Sequence, residues 1–270
     1  MLTNEGHRLA RVVVCSPGKE YFGVSNLKAH NILEKADPQK AGEQHKRLKT
    51  VIAEFGAEVI DADELGGHPN SVFTRDTSLC TPQGYIHLRM GLATRRGEEE
   101  WMAEILDGMD EPQAAKIHPP GTVEGGDIIL AGGVAFIGHS RRTNKEGVLQ
   151  VSGMLKKMGY EVRIAAISPP HLHLGGLMSL VGEEHVLCSR GFFEDDFFRG
   201  FDLIEVECEM FVSANVICLG EGELIAEVSN TIAVEALEKR RFKVHTLDLS
   251  EFIKGQGGPS CLILPVSRVA

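Results

Sequence analysis

Apolar residues along this chain come in short runs separated by glycine turns, and the runs repeat in a fixed order. Thr77-Ser78-Leu79-Cys80, a Pro-Gln-Gly turn and Tyr85-Ile86-His87-Leu88 predict a β-hairpin. A helical stretch over Glu98 to Asp107 follows, then a strand ending at Ile117-His118. The same order returns with Asp127 to Leu130, a Gly132-Gly133 turn, Val134 to Gly138, a helix over Lys145 to Met158 and the strand Glu161 to Ile164. A third unit runs from Leu177 to Leu180, turns at Gly182-Glu183-Glu184 and returns through His185 to Cys188. Its helix is weakly marked, within Glu194 to Gly200, ahead of the strand Leu203 to Val206. The fourth unit has strands Val216 to Leu219 and Leu224 to Val228, a helix over Thr231 to Lys239 and the strand Lys243 to Leu247. The fifth is split across the sequence: Cys261 to Val266 pairs with Arg11 to Cys15, followed by a helix over Gln39 to Phe55 and the strand Ala57 to Ile60.

Five ββαβ units predict an α/β fold in the form of a closed ring with pseudo-fivefold symmetry, in which the first strand of every unit starts near the axis. The competing arrangement is an open two-layer α/β fold. No linker rich in Pro, Ser or charge interrupts the chain, so residues 1–270 read as a single domain.

In the ring, several polar residues flanked by glycines meet at one place. Asp76, Glu124, His173 and Cys261 each stand just before, or at the start of, a unit's first strand. A thiol, an imidazole and a carboxylate delivered together suit nucleophilic catalysis by cysteine. Each has a plainer reading by itself. Cys261 at the head of an apolar strand is a buried structural thiol, although Gly257-Gly258-Pro259 argues for a shaped approach loop. Glu124-Gly125-Gly126-Asp127 is ordinary turn chemistry, and no phosphate-binding glycine pattern occurs. His171 and His173 alternate on one face of an extended segment, which fits a pair of zinc ligands as well as a catalytic base, but no third-ligand motif accompanies them. Asn70 to Asp76 reads as a surface turn with a local Arg75–Asp76 pair, Arg95-Arg96-Gly97-Glu98 as a helix entrance, and Arg141-Arg142-Thr143-Asn144 as a solvated loop with a cap.

Composition narrows the partners. With 43% hydrophobic and 24% charged residues the chain is of globular type, and a net charge of −10 disfavours nucleic acid and anionic membranes. The six cysteines show no short metal-type spacing, and several lie in apolar runs where cysteine behaves as a small hydrophobe. Neither a basic-then-apolar leader nor a bilayer-length apolar run is present, which points to a cytoplasmic protein without membrane attachment. A homo-oligomer is left open.

The fragments above, in this order, resemble the guanidine-modifying superfamily of arginine deiminases, dimethylarginine dimethylaminohydrolases and amidinotransferases. The likeness runs from Arg11-Val12-Val13-Val14-Cys15-Ser16-Pro17-Gly18 to the C-terminal cysteine motif. It implies the five-bladed α/β propeller called pentein, a small cationic guanidino substrate, and neither metal nor organic cofactor. By motif, Cys261 is the nucleophile, His173 the acid/base and Glu124 its orienting carboxylate. Asp76 holds the guanidinium, Arg95 and Arg142 take the substrate carboxylate, and Asn70 and Asp127 join the substrate-binding set. Gly138-His139-Ser140-Arg141-Arg142-Thr143-Asn144 and the short length are similar to the dimethylarginine hydrolases. Asn-x-x-Phe-Thr-Arg-Asp over 70–76 is similar to the arginine deiminases, which usually carry an aspartate where this chain has Gly175. Without that second carboxylate a methylated guanidine is the favoured substrate; arginine deimination, amidino transfer and a non-catalytic pentein are the alternatives. Strand alternation would turn Arg75 away from the pocket and onto another carboxylate.

Overall fold

The computed structural model describes residues 2–270, and among these fifteen strands form five sheets of three. All five are built alike. Ser78–Thr81 runs antiparallel to Gly84–His87, which pairs in parallel with Gln113–Lys116. Ile128–Ala131, Val134–His139 and Glu161–Ala166 repeat the pattern, as do Met178–Leu180, His185–Ser189 and Asp202–Val206. The next set is Ile217–Gly220, Glu223–Glu227 and Lys243–Leu247. In the last sheet the order of the chain is broken as the sequence indicates: Leu264–Val269 pairs antiparallel with Arg8–Cys15, which lies parallel to Glu58–Ala62.

A parallel partner must be reached by a crossover, and four of the five crossovers are helical. Pro38–Glu54, Glu98–Gly108, Lys145–Lys157 and Thr231–Lys239 fill that role. The helix Pro38–Glu54 buries Ala41, His45, Leu48, Val51 and Ile52, the three- and four-residue spacing of one helical face. Its start is capped by Asp37, which accepts from the Lys40 backbone N–H, and Asn144 accepts likewise from Gly147 at the start of Lys145–Lys157.

The structure departs from the sequence reading in three places. No helix forms within Glu194 to Gly200; that crossover is a run of turns. Its cohesion comes from aromatic packing, with Phe197 stacked on Phe193 at 5.0 Å and both Phe197 and Phe201 against the buried Phe136 at 5.1 and 5.4 Å. The strand after Glu98–Gly108 ends at Lys116, before the expected Ile117-His118. Cys261 belongs to a 3-10 turn, Pro259–Leu262, and the strand begins only at Leu264.

First strands of successive sheets lie beside one another: Leu264–Val269 by Ser78–Thr81, Ile128–Ala131 by Met178–Leu180, and Met178–Leu180 by Ile217–Gly220. Just ahead of four of them stand 3-10 turns, Thr74–Asp76, Gly125–Asp127, Leu174–Gly176 and Pro259–Leu262, and these turns touch. Backbone meets backbone there. A Cβ on Gly125 would lie 2.2 Å from the Arg75 carbonyl oxygen, and one on Gly257 would lie 2.1 Å from the Phe73 ring. Such contacts have no room for a side chain, which is the physical reason for the glycines in both motifs. Gly125→Ala is therefore expected to lower stability by about 1–3 kcal/mol through overpacking, read as a reduced urea midpoint; an unchanged midpoint would show that the turns can part freely.

Candidate active site

The touching turns carry the polar residues singled out from sequence. His173 stands in extended backbone (φ −140°) at the head of its turn, with Nε2 2.7 Å from Glu124 Oε2 and Nδ1 3.8 Å from Asp76 Oδ1. Burial alone would depress the imidazole, but Asp76 and the hydrogen bond to Glu124 outweigh it and push His173 up to about 9. It is an imidazolium at neutral pH.

Glu124 is fully buried and fully used. Its Oε1 accepts from the backbone N–H groups of Gly91 and Leu92 at 3.0 and 3.1 Å, and Arg142 Nη1 donates to Oε2 at 3.0 Å. Burial works against ionisation here, yet Arg142 and His173 hold the carboxyl well below the ordinary carboxylate range. Asp76 Oδ2 accepts from Arg95 Nη1 at 2.6 Å, and its Oδ1 accepts from the Gly126 N–H at 3.1 Å. Arg95 is committed elsewhere too: Nε and Nη2 reach Glu98 Oε2 at 2.8 and 2.7 Å, and Nη2 donates to the Phe73 carbonyl.

Cys261 is partly exposed, with Sγ 3.4 Å from the Gly258 N–H and 3.9 Å from Asn215 Nδ2. Desolvation of the sulfur and the charge of Asp76 push the thiol up to about 11, against the smaller opposing pull of Gly258, Arg75 and Arg95. Cys261 and His173 line two adjoining cavities. The outer, of about 20 Å³, is bounded by Asn70, Asp76, Arg95 and Arg142; the inner, of about 50 Å³, reaches Glu5, Arg75 and Arg268.

Three residues are placed otherwise than the sequence reading implies: Asp127, Arg95 and Arg75. Asp127 does not face either cavity. Its Oδ1 accepts from the Leu174 N–H at 2.9 Å and its Oδ2 from Ser140 Oγ at 2.6 Å, so it braces the His173 turn from behind, and burial pushes it up to about 6. Arg95 is not a free carboxylate clamp, because Asp76 and Glu98 already take its guanidinium. Arg142 spends only Nη1 on Glu124. Asn70 does border the outer cavity; its Nδ2 donates to the His30 carbonyl and its Oδ1 is buried without a partner. Arg75 is held by a carboxylate as expected, with Nη2 2.7 Å from Glu5 Oε1, but it borders the inner cavity. Alternation does not govern it, since residues 74–76 form a 3-10 turn and not a strand.

The two histidines of the zinc alternative do not converge. His171 packs edge-on against Phe192 at 4.9 Å. Asp76, Glu124 and His173 do lie close enough together to ligate an ion. Arg95 and Arg142 are paired into that same trio, however, and their charges oppose a second cation. The donor set does not fit a metal. Sequence reasoning missed Asn215, which is 1% exposed and bonded to the Cys261 turn, because no glycine pair marks Val212-Ser213-Ala214-Asn215. Its place ahead of the strand Ile217–Gly220 was the available signal.

The family model described as arginine deiminase matches residues 64–211 and 200–268. The chain belongs to the arginine deiminase family. Among relatives, an N(G),N(G)-dimethylarginine dimethylaminohydrolase of Pseudomonas aeruginosa is 32% identical over 232 residues, covering 86% of this chain and 91% of that protein. A structure of dimethylarginine dimethylaminohydrolase from Pseudomonas aeruginosa, a cysteine-to-serine mutant complexed with citrulline, superposes with a TM-score of 0.84 at 28% identity, over 95% of this chain and 99% of that one. SxtG, an amidinotransferase of Microseira wollei, superposes at 0.85 with 16% identity over 100% and 97%, a likeness of fold alone.

The family member's buried imidazolium has a stability signature. Its folded pKa near 9 lies above the unfolded value near 6.5, so the stabilisation is complete below the unfolded value and is lost as pH rises through about 9. The loss is at most roughly 3 kcal/mol. Wild type should lose unfolding free energy between about pH 6 and pH 10, and His173→Asn should lose markedly less over the same range. Parallel curves for the two proteins would show that His173 titrates normally.

Proposed function

We propose that this chain hydrolyses the guanidino C–N bond of a methylated arginine, yielding citrulline and an alkylamine. The observation that carries this reading is His173, held as an imidazolium between Glu124 and Asp76 and lining the same cavities as Cys261. Relatives of the dimethylarginine dimethylaminohydrolase type support it. In this reading the five units close into a propeller and residues 1–270 act as one catalytic domain. A cytoplasmic location accords with six unpaired cysteines, and among the described residues no helix is long and apolar enough to cross a membrane.

A guanidinium is a permanent cation, so it needs an anionic seat. Asp76 Oδ1 provides one with its remaining lone pair, since it accepts the Gly126 N–H while Arg95 takes Oδ2. Arg142 presents Nε and Nη2 to the substrate carboxylate. Arg95 acts behind Asp76 and fixes its orientation. With the cation seated, ionisation of Cys261 is favoured electrostatically; the thiol releases its proton to solvent, His173 being protonated already, and the thiolate attacks the guanidinium carbon. His173 gives its proton to the departing amine as the C–N bond breaks. The neutral imidazole then takes a proton from water, which attacks the S-alkylthiouronium carbon and releases the thiolate with the ureido product. Glu124 keeps the ring oriented throughout.

A second reading, deimination of unmethylated arginine, is favoured by one feature: Asn70 to Asp76 carries the Arg75 of the deiminases, paired to Glu5. Product assays separate the two. With asymmetric dimethylarginine and arginine as substrates, kcat/KM should be higher for the methylated compound, and citrulline should appear with dimethylamine. A preference of at least about tenfold for arginine, worth roughly 1.4 kcal/mol in transition-state binding, would overturn the methylated choice and leave guanidino hydrolysis standing. Cys261→Ser should keep less than about a tenth of wild-type turnover, and acid-quenched wild type should carry the substrate-derived adduct on Cys261. An active serine variant would remove Cys261 from the chemistry.

A further inference from the structure

We infer that Asn215 is a positioning residue for the Cys261 sulfur: it locks the nucleophile's turn to the His173 turn and holds an N–H ready to move onto the thiolate. The inference rests on the proposed role of Cys261. Asn215 stands two residues ahead of the strand Ile217–Gly220, the place that Asp76 takes before Ser78–Thr81. The unit with no expected site residue thus also contributes a polar group.

Its amide orientation is fixed by its neighbours. Oδ1 accepts from the Ser260 N–H at 2.9 Å, which commits Nδ2 to the other side. There Nδ2 donates to the Gly175 carbonyl at 2.7 Å and to Ser260 Oγ at 2.7 Å, with Cys261 Sγ 3.9 Å away. Gly175 belongs to the turn that follows His173, and Ser260 precedes Cys261. One side chain therefore ties the acid/base turn to the nucleophile turn. The fit is close: a Cβ on Gly258 would lie 2.6 Å from Asn215 Oδ1.

A carboxamide nitrogen has two hydrogens, and both are used in the thiol state. The Gly175 carbonyl has no freedom to leave. The Ser260 hydroxyl does, because it rotates and is a neutral acceptor. A thiolate is a stronger acceptor than a hydroxyl. On ionisation, Ser260 Oγ swings aside and the planar carboxamide tilts as a unit on its Gly175 bond, so that the hydrogen it had given to Oγ is shared with Sγ beside the Gly258 N–H, which already points there at 3.4 Å. This pair of N–H donors acts against the burial and the Asp76 charge that hold the proton on the sulfur.

Two substitutions act in opposite directions. Asn215→Asp keeps an acceptor for the Ser260 N–H but sets a carboxylate oxygen against the Gly175 carbonyl and beside the sulfur. Ser260→Ala removes the competing acceptor and frees one amide hydrogen for Sγ. The measurement is the pH dependence of Cys261 alkylation by iodoacetamide, with the site located by peptide mass, alongside kcat and KM. Asn215→Asp should raise the apparent thiol pKa by about one unit and lower kcat at least tenfold, with KM moving less than about threefold. Ser260→Ala should lower the thiol pKa by several tenths. If Asn215→Asp does not fold, as read by circular dichroism and a urea midpoint, Ser260→Ala decides alone. A thiol pKa unchanged in a folded variant, or raised in Ser260→Ala, would overturn the inference. Hydrolysis that survives full alkylation of Cys261 would instead overturn the functional reading, so the two failures are distinct.

Discussion

Charge taken out of water must be answered by opposite charge, and the centre of this protein is arranged around that requirement. Asp76, Glu98 and Glu124 are buried, and three cations answer them: Arg95 bridges Asp76 and Glu98, while Arg142 and the His173 imidazolium share Glu124. Removing any one partner strands another in a poorly hydrated place, a far larger penalty than losing an exposed pair. The glycine-bearing turns serve the same need, since Gly125 and Gly126 let the backbone pass close to Arg75, Asp76 and the His173 ring and so set Asp76 and Glu124 about that imidazolium. A resting site of this kind also explains how a desolvated thiol, pushed up to about 11, becomes useful. A guanidinium adds one positive charge, and ionisation of Cys261 restores the balance. In the proposed reaction the substrate itself supplies the driving force for making the nucleophile.

Much of the architecture was legible because hairpins announce themselves. The Pro82-Gln83-Gly84 and Gly132-Gly133 segments mark turns between apolar runs, and the cap at Asn144 marks a helix start. The third crossover was not legible: Phe193, Phe197 and Phe201 are spaced as on a helix, but Phe197 and Phe201 meet Phe136, far away in sequence, Phe193 stacks on Phe197, and ring packing without a helix satisfies them. At the site, Glu124, His173 and Cys261 could be named from motif. What Asp76 and Asp127 each do could not. Both are acids just ahead of a strand, and only the three-dimensional course of the turns sends one to the cavity and the other behind His173. The Arg95–Asp76 and Arg75–Glu5 pairs join residues that no local pattern connects.

The relatives show which part of this arrangement a fold can keep while the sequence drifts. SxtG retains the fold at 16% identity, and the dimethylarginine dimethylaminohydrolase does so at 28%. Turns at strand starts are set by the sheets behind them, so a chain can exchange most of its surface and keep their convergence. Family membership alone does not fix the substrate, which depends on the side chains grafted around that point.

The sheet that ends next to Cys261 has a consequence for how the protein is made. Arg8–Cys15 acquires its parallel neighbour Glu58–Ala62 early in synthesis, but its antiparallel partner Leu264–Val269 comes about two hundred residues later. Until then one edge of a strand whose Val12, Val13, Val14 and Cys15 are wholly buried in the finished fold lies open on the growing chain. Such an edge invites mispairing with a neighbouring nascent chain, and closing it is a slow, long-range step. The same delay keeps the thiol apart from the imidazole while the polypeptide is incomplete. In the proposed chemistry, reactivity arrives only when Leu264–Val269 pairs with Arg8–Cys15 and seats Cys261 beside the imidazole.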